Sequence, residues 1–203
     1  MEKTVFEAFI KDNAQKIQEI RTAAWELHQA VNQTYDKTLP YGFHLSMVAD
    51  AAMKYGYEVV KDEVDILPLI FGAYFHDSIE DARLTYNNVL SLASKYMTQE
   101  QALTAAEIVY ALTNEKGRTR EERADERYYA GIRNTPFAPF VKLCDRFANM
   151  SYSAGSAGNA NAHMIAVYSA ELEHFINAIN ANSDDPRFAL SSELVSQLKN
   201  LSL

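Results

Sequence analysis

A short acidic and histidine-containing segment interrupts an apolar, helix-like part of the sequence. AYFHDSIEDARL, residues 73–84, places His76, Asp77, Glu80 and Asp81 directly after a run of residues typical of a protein core. Unpaired charge is costly to bury, so such groups need ionic partners, solvent or a metal ion. The segment is therefore the first place to look for chemistry.

Two further residues have a similar setting. His44 lies in PYGFHLSMVADAAM and Asp145 in FVKLCDRFANM, both among apolar residues on separate predicted helices. Together with His76 and Asp77 they supply two imidazoles and two carboxylates, a donor set that suits Mn²⁺, Fe²⁺, Co²⁺ or Zn²⁺. The sequence predicts that these four residues bind one metal ion. The alternatives are a buried structural role for His44, and for Asp145 an ordinary ion pair with a neighbouring lysine or arginine of its own helix.

Glu80 and Asp81 are the candidate catalytic residues. If one helix continues through the segment, Glu80 shares a face with His76, and Asp81 shares a face with Asp77, because each pair is four residues apart. A carboxylate next to a metal ion can accept or orient the proton of a metal-bound water. We assign this role to Glu80 with Asp81 assisting, and the alternative is that both simply solvate a helix end.

The elements that must position these residues are predicted to be helices. Seven glycines and five prolines in 203 residues are few, and alternating β patterns are scarce, so we expect an all-α protein. The predicted helices span about 3–33 with one break, 43–56, 66–81, 85–96, 99–113, 120–132, 137–152, 160–180 and 191–200. We expect one domain over residues 1–203.

Composition limits the function classes. The net charge of −8 and the pI of about 5.1 argue against binding of bulk nucleic acid but are compatible with a small phosphorylated substrate. The single cysteine, Cys144, cannot form an intramolecular disulfide. The first residues do not resemble a signal peptide, and no run approaches the roughly 18 apolar residues of a membrane span. We therefore expect a cytoplasmic protein without a membrane partner; the sequence does not indicate its oligomeric state.

The order H…HD…D is that of the HD superfamily of metal-dependent phosphohydrolases. The short motifs around these residues resemble those of one branch of that superfamily. PYGFH resembles the PYxxH of the RelA/SpoT hydrolase domain and its small single-domain relatives, AYFHDSIED resembles their LLHDxxED, and VKLCDRFANM resembles their IKLADRLHNM. The resemblance covers roughly residues 20–175. It implies a helical bundle with a metal site between helices, Mn²⁺ as cofactor, and removal of pyrophosphate from the 3′ position of guanosine tetra- or pentaphosphate.

The resemblance also assigns roles to single positions. His44, His76, Asp77 and Asp145 match the metal ligands of the family, Glu80 and Asp81 match its ED pair, and Asn149 matches the asparagine that contacts the nucleotide sugar.

One part of the family pattern is missing. The family usually carries Arg-Lys shortly before PYxxH, where the arginine stacks on guanine, but the corresponding positions here are Tyr35 and Asp36, followed by Lys37. Tyr35 can still stack on a base. Two explanations remain open: Lys37 supplies the missing positive charge, or the substrate is another nucleotide.

A basic region is the second candidate for substrate binding. Arg120, Arg123 and Arg127 share one face if they lie on one helix, with Lys116 and Arg118 just before it. Such a ridge can hold phosphates, and the alternative is a solvated face with ion pairs. The competing functions are a phosphohydrolase for another nucleotide, such as a deoxynucleotide monophosphate or NADPH, and a nucleotide-sensing domain without turnover.

Overall fold

The computed structural model describes residues 1–114, 118–155 and 159–202, and helices dominate this part of the chain. The predicted all-α class is confirmed. The helices are α1 (Lys3–Asp12), α2 (Ala14–Ala30), α3 (Gly42–Tyr55), α4 (Ile66–Phe75), α5 (Tyr86–Ala93), α6 (Gln99–Leu112), α7 (Arg120–Arg123), α8 (Glu126–Arg133), α9 (Ala138–Gly155), α10 (Asn159–Ile179) and α11 (Ser192–Leu201).

A small hairpin that the sequence did not predict joins α2 to α3. Its strands are β1 (Thr34–Tyr35) and β2 (Leu39–Pro40), paired antiparallel. Asp36 and Lys37 adopt φ angles of 46° and 65°, a left-handed conformation that allows the tight reversal between the strands. The predicted turn over 38–43 is thus the second half of a hairpin and the start of α3.

The segment with the acidic residues is not a continuous helix. The helix predicted over 66–81 ends at Phe75, and residues 76–82 form turns, so this prediction is wrong in its second half. Ser78 N–H donates to the carbonyl of Phe75, and Arg83 has a φ of 60°, so the chain leaves the helix axis here. Acidic side chains at a helix C-terminus oppose the helix dipole, which favours this early end.

The predicted basic helix over 120–132 is also interrupted. Helix α7 ends at Arg123, and α8 begins at Glu126 after Asp125, whose carboxylate caps α8 by accepting from Tyr128 N–H at 3.0 Å. Arg123 and Arg127 therefore belong to different helices, and the single arginine face that the sequence predicted does not form.

The core is built around α4, all of whose residues are buried. Helix α3 packs against α4 and α9, and α4 also packs against α6. The start of α3 lies close to α2, because a Cβ added at Gly42 would come within 2.1 Å of the Trp25 ring. Among the described residues, no helix is long and apolar enough to cross a membrane.

Candidate metal centre and adjoining cavity

The histidines and acids singled out in the sequence converge from three parts of the bundle. His44 lies in the first turn of α3, His76 directly follows α4, and Asp145 lies within α9. One ligand atom from each of these residues lies within 4.8 Å of the others. The Nε2 atom of His44 is 3.4 Å from Asp145 Oδ1, and that of His76 is 4.0 Å from the same oxygen. The three side chains could hold a divalent metal ion.

Asp77 faces the same point. Its Oδ2 atom lies 2.9 Å from His76 Nε2 and 3.8 Å from His44 Nε2. The hydroxyl of Tyr41 donates a hydrogen bond to this oxygen and fixes the carboxylate. The structure thus brings the four predicted ligand residues together, and their role as ligands stays a prediction.

The surroundings of His76 fit a metal. Both imidazoles are buried, and His76 Nδ1 donates to the carbonyl of Ala73 at 2.9 Å, which directs Nε2 toward the carboxylates. Within the described part of the chain, this Nε2 atom is buried and has no hydrogen-bond partner of acceptable geometry. A ring nitrogen pointing at acceptor-only oxygens needs a proton or a cation between them, and histidine ligands commonly donate their other ring N–H in this way.

The charges of the cluster depend on one another. Burial alone lowers the pKa of His76, but the charges of Asp77 and Asp145 outweigh it and raise that pKa to about 9. Burial alone raises the pKa of Asp77, but the nearby His76 outweighs it and holds the pKa well below its usual range. The pKa of Asp145 is lowered in the same way, chiefly by Lys142 against the opposing effect of burial. The cluster therefore keeps its carboxylates ionised at neutral pH.

Asp145 uses its two oxygens differently. Lys142 Nζ lies 3.0 Å from Oδ2, so the ion pair considered as an alternative from the sequence is present. The other oxygen, Oδ1, faces the histidines and accepts from Asn149 Nδ2 at 2.7 Å. Arg146, the other candidate partner, pairs with Glu171 at 3.3 Å. The lysine pair and a metal contact are thus compatible.

The two candidate catalytic acids lie in the turn after α4. Glu80 is exposed and accepts from the Asn114 side-chain amide, at 2.9 and 3.1 Å. Asp81 is half-buried, and its N–H donates to the carbonyl of Asp77 at 2.8 Å, which preserves one helix-like contact between them. The pKa of Tyr41 is raised well above its usual range, chiefly by burial, next by the charge of Asp77 and then by the charge of Asp81. The shared helix face is lost, but the acids stay in the same turn as His76 and Asp77.

A cavity of about 440 Å³ adjoins Asp145. Three basic residues line it, namely Lys142, Arg146 and Arg123, and Asn149 belongs to the same wall. Aromatic rings of α8 and α10 line it as well: Tyr128, Tyr129, Tyr168 and Phe175. These aromatic residues were not predicted as part of a site: Tyr128 and Tyr129 directly follow the basic region, and Tyr168 and Phe175 belong to no motif. Of the residues in this wall, Arg123 and Asn149 were singled out in the sequence, and Lys142 and Arg146 are close to Asp145 along the chain.

The other predicted substrate-binding residues are spread more widely. Tyr35 stacks on the His44 ring, with centroids 5.0 Å apart and planes 14° apart. Lys37 and Arg118 are exposed and are not among the described residues that line the cavity. Lys116 and the side chain of Arg120 lie outside the described residues. The structure therefore places Tyr35 and Asn149 beside the candidate metal centre, whereas Lys37 and Arg118 are not among the described residues of the cavity wall.

Comparison with known proteins supports the fold. No protein-family model and no curated protein matches this sequence. Among solved structures, the chain is similar to a metazoan ortholog of SpoT that hydrolyzes ppGpp and plays a role in starvation responses. The TM-score is 0.59 at 17% identity, over 92% of this chain and 93% of that chain.

The chain has a SpoT-like HD fold. This likeness extends over nearly the whole of both chains and agrees with the order of the histidine and aspartate motifs in the sequence. At this level of identity it establishes the fold, so an activity has to be argued from the site itself.

Proposed function

We propose that this HD-type protein is a metal-dependent nucleotide phosphohydrolase, with removal of the 3′-pyrophosphate of guanosine tetraphosphate as its first candidate reaction. The observation that carries the proposal is the cluster of two buried imidazoles and two partly buried carboxylates beside a cavity with basic and aromatic walls. The similar SpoT ortholog, which hydrolyzes ppGpp, supports the choice of substrate.

In this proposal His44, His76, Asp77 and Asp145 hold one divalent ion, with Mn²⁺ as the expected metal. Bound there, such an ion would lower the pKa of a water ligand and polarise a phosphoryl oxygen. Tyr41 keeps Asp77 oriented through its hydrogen bond. Loss of an outer contact of this kind typically costs about 10- to 100-fold in metal affinity or activity.

Other residues near the candidate metal centre would act on the attacking water and bind the substrate. Glu80, with Asp81 assisting, accepts the proton of the attacking water, and the amide of Asn114 holds Glu80 in one orientation. Lys142 and Arg123 supply positive charge on the cavity wall for the phosphates. The aromatic side chains of that wall offer surfaces on which a base can stack.

A second candidate function is hydrolysis of a less highly charged nucleotide, such as a deoxynucleotide monophosphate or NADPH. The observation that favours it concerns the two positions where the related family carries Arg-Lys. Tyr35 is packed on His44, and Asp36 accepts a hydrogen bond from the Tyr152 hydroxyl at 2.7 Å, so neither position supplies a cation. Lys37 next to them is exposed and is not among the described cavity-lining residues.

A nucleotide panel tests the proposal. Purified protein loaded with Mn²⁺ is incubated with guanosine tetraphosphate, GTP, deoxynucleotide monophosphates and NADPH, and the products are separated by anion-exchange chromatography. We expect pyrophosphate and GDP from guanosine tetraphosphate, and no product with the variant His76→Ala. Turnover of only a monophosphate or NADPH would favour the second candidate. Binding of nucleotides without any product would contradict both and leave a sensing role.

A further inference from the structure

The hairpin between α2 and α3 carries a tyrosine that contacts two members of the metal-ligand set. Tyr35 stacks on the ring of His44, and its hydroxyl reaches Asp145 through the side chain of Asn149. We infer that Tyr35 is a positioning residue of the metal centre, which fixes the His44 ring directly and the Asp145 carboxylate through Asn149. The inference rests on metal binding as proposed above and assigns to Tyr35 and Asn149 a role other than substrate contact.

The direction of the hydrogen bonds follows from the chemistry of the groups. Asn149 lies 2.7 Å from Asp145 Oδ1 and 3.1 Å from the Asp145 carbonyl oxygen, and both of these atoms only accept. The NH₂ end of the amide must therefore face Asp145. Its oxygen then faces Tyr35, so the tyrosine hydroxyl donates, at 3.0 Å. The chain of donors runs from Tyr35 through Asn149 to the carboxylate oxygen that faces the histidines.

The two histidines are held in different ways. His76 is oriented by the hydrogen bond from Nδ1 to the Ala73 carbonyl. His44 Nδ1 is buried and has no hydrogen-bond partner among the residues that the structure describes. Ligand histidines are commonly oriented by a hydrogen bond from the second ring nitrogen. For His44, the nearly parallel Tyr35 ring at 5.0 Å takes over this orienting function.

The hairpin is itself anchored, so Tyr35 can act as a fixed support. The Tyr152 hydroxyl on α9 donates to Asp36 Oδ2 at 2.7 Å, and the Tyr152 ring packs edge-on against Tyr35 with centroids 4.9 Å apart. Both amide hydrogens of Asn149 are also in use, toward Asp145. One ring face of Tyr35 and the Asn149 amide are thus occupied by contacts within the centre.

Metal affinity without substrate tests the inference. Co²⁺ is titrated into the metal-free protein, and its visible absorption gives both the Kd and a signature of ligand geometry. Loss of an outer-shell contact typically weakens metal binding by about 10- to 100-fold. We expect Tyr35→Phe, which keeps the ring, to weaken binding by about tenfold, and Tyr35→Leu, which removes both contacts, to weaken it more and to change the absorption band.

Two further variants separate the proposed route from general damage. Asn149→Leu should weaken binding, and adding Tyr35→Phe to it should cause no further loss, because both act through the same hydrogen bonds. Tyr86→Phe is the matched control: it also removes a tyrosine hydroxyl that donates to a carboxylate, that of Glu107, but outside the centre. Its Kd should equal that of the wild type. Thermal unfolding of each metal-free variant checks that the fold is intact.

The outcomes distinguish this inference from the proposed function. If Tyr35→Phe and Tyr35→Leu bind Co²⁺ as tightly as the wild type, or if the losses of Tyr35→Phe and Asn149→Leu simply add, the inference is wrong even for an active enzyme. If the wild type binds Co²⁺ and the variants behave as expected but no nucleotide is hydrolysed, only the proposed function fails. A wild-type protein that binds no Co²⁺ would overturn both.

Discussion

Metal binding should compete with a proton on His76, and this competition can be measured without any substrate. The nearby carboxylates raise the pKa of His76 to about 9 in the metal-free protein, so its ring carries both protons at pH 7. The proton on Nδ1 is held by the hydrogen bond to the Ala73 carbonyl oxygen. A metal ion that binds His76 must therefore displace the proton on Nε2. We expect Mn²⁺ binding to release about one proton from this residue at neutral pH.

The magnitude follows from the pKa. At any pH below about 9, each pH unit changes the cost of removing the proton by about 1.4 kcal/mol, so the Kd for Mn²⁺ should fall about tenfold between pH 7 and pH 8. Isothermal titration calorimetry in two buffers of different ionisation enthalpy measures the proton release directly. A Kd that is the same at both pH values, together with a proton release near zero, would refute the reasoning. The variant His76→Ala should lose this proton release.

The same pKa sets the pH dependence of stability. A pKa raised from 6.5 to about 9 on folding contributes stability that is fully present below pH 6.5 and is lost as the pH rises toward 9. The loss amounts to about 3 kcal/mol at most, from the difference of the two values. The metal-free protein should therefore show a falling Tm between pH 6.5 and pH 9. Protein saturated with Mn²⁺ should not show this fall, because the proton has already been displaced.

Four further outcomes follow from the site and from the packing of the helices. Glu80→Gln should keep metal binding and lower kcat at least about 100-fold, the scale of a positioned general base; a rate within threefold of wild type would remove Glu80 from the mechanism. Tyr41→Phe should weaken Mn²⁺ binding about tenfold in the same calorimetric assay, because the ligand carboxylate loses its hydrogen bond. Gly42→Ala should lower the unfolding free energy by about 1–3 kcal/mol through a clash with Trp25. Gly131→Ala, with nothing within 4 Å of the added carbon, should raise it by about 0.5–1 kcal/mol in urea unfolding.

The helical class could be predicted because periodic apolar spacing determines which segments bury a face. The N-terminal helix has a break, as predicted, and it lies at Asn13, a position that the sequence did not indicate; the end of α3 before Gly56 lies close to the predicted bound. The end of α4 was predicted too late. The apolar run predicts a helix but contains no signal for where it ends, and the turn at His76 depends on hydrogen bonds and on the charge of the acids that follow.

The candidate site could be predicted only in part. The order of the motifs identified the residues of the candidate metal centre, because their types and their apolar neighbours can be read from the sequence. The contact of Tyr35 with His44 depends on a two-residue strand pairing that no periodicity reveals. The cavity wall combines Tyr128 on α8 with Tyr168 and Phe175 on α10, residues that only tertiary packing brings together. The predicted arginine face does not form, because a capping residue, Asp125, divides the predicted helix into two.

The position of the metal is the most direct test of the central claim. Crystals grown with Mn²⁺ should give one strong anomalous difference peak per chain, in contact with His44 Nε2, His76 Nε2, the Oδ2 atom of Asp77 and the Oδ1 atom of Asp145. The same crystals of the variant His76→Ala should lose this peak. A peak at another place in a protein that hydrolyses nucleotides, or no peak between these atoms in the wild type at saturating Mn²⁺, would contradict the account.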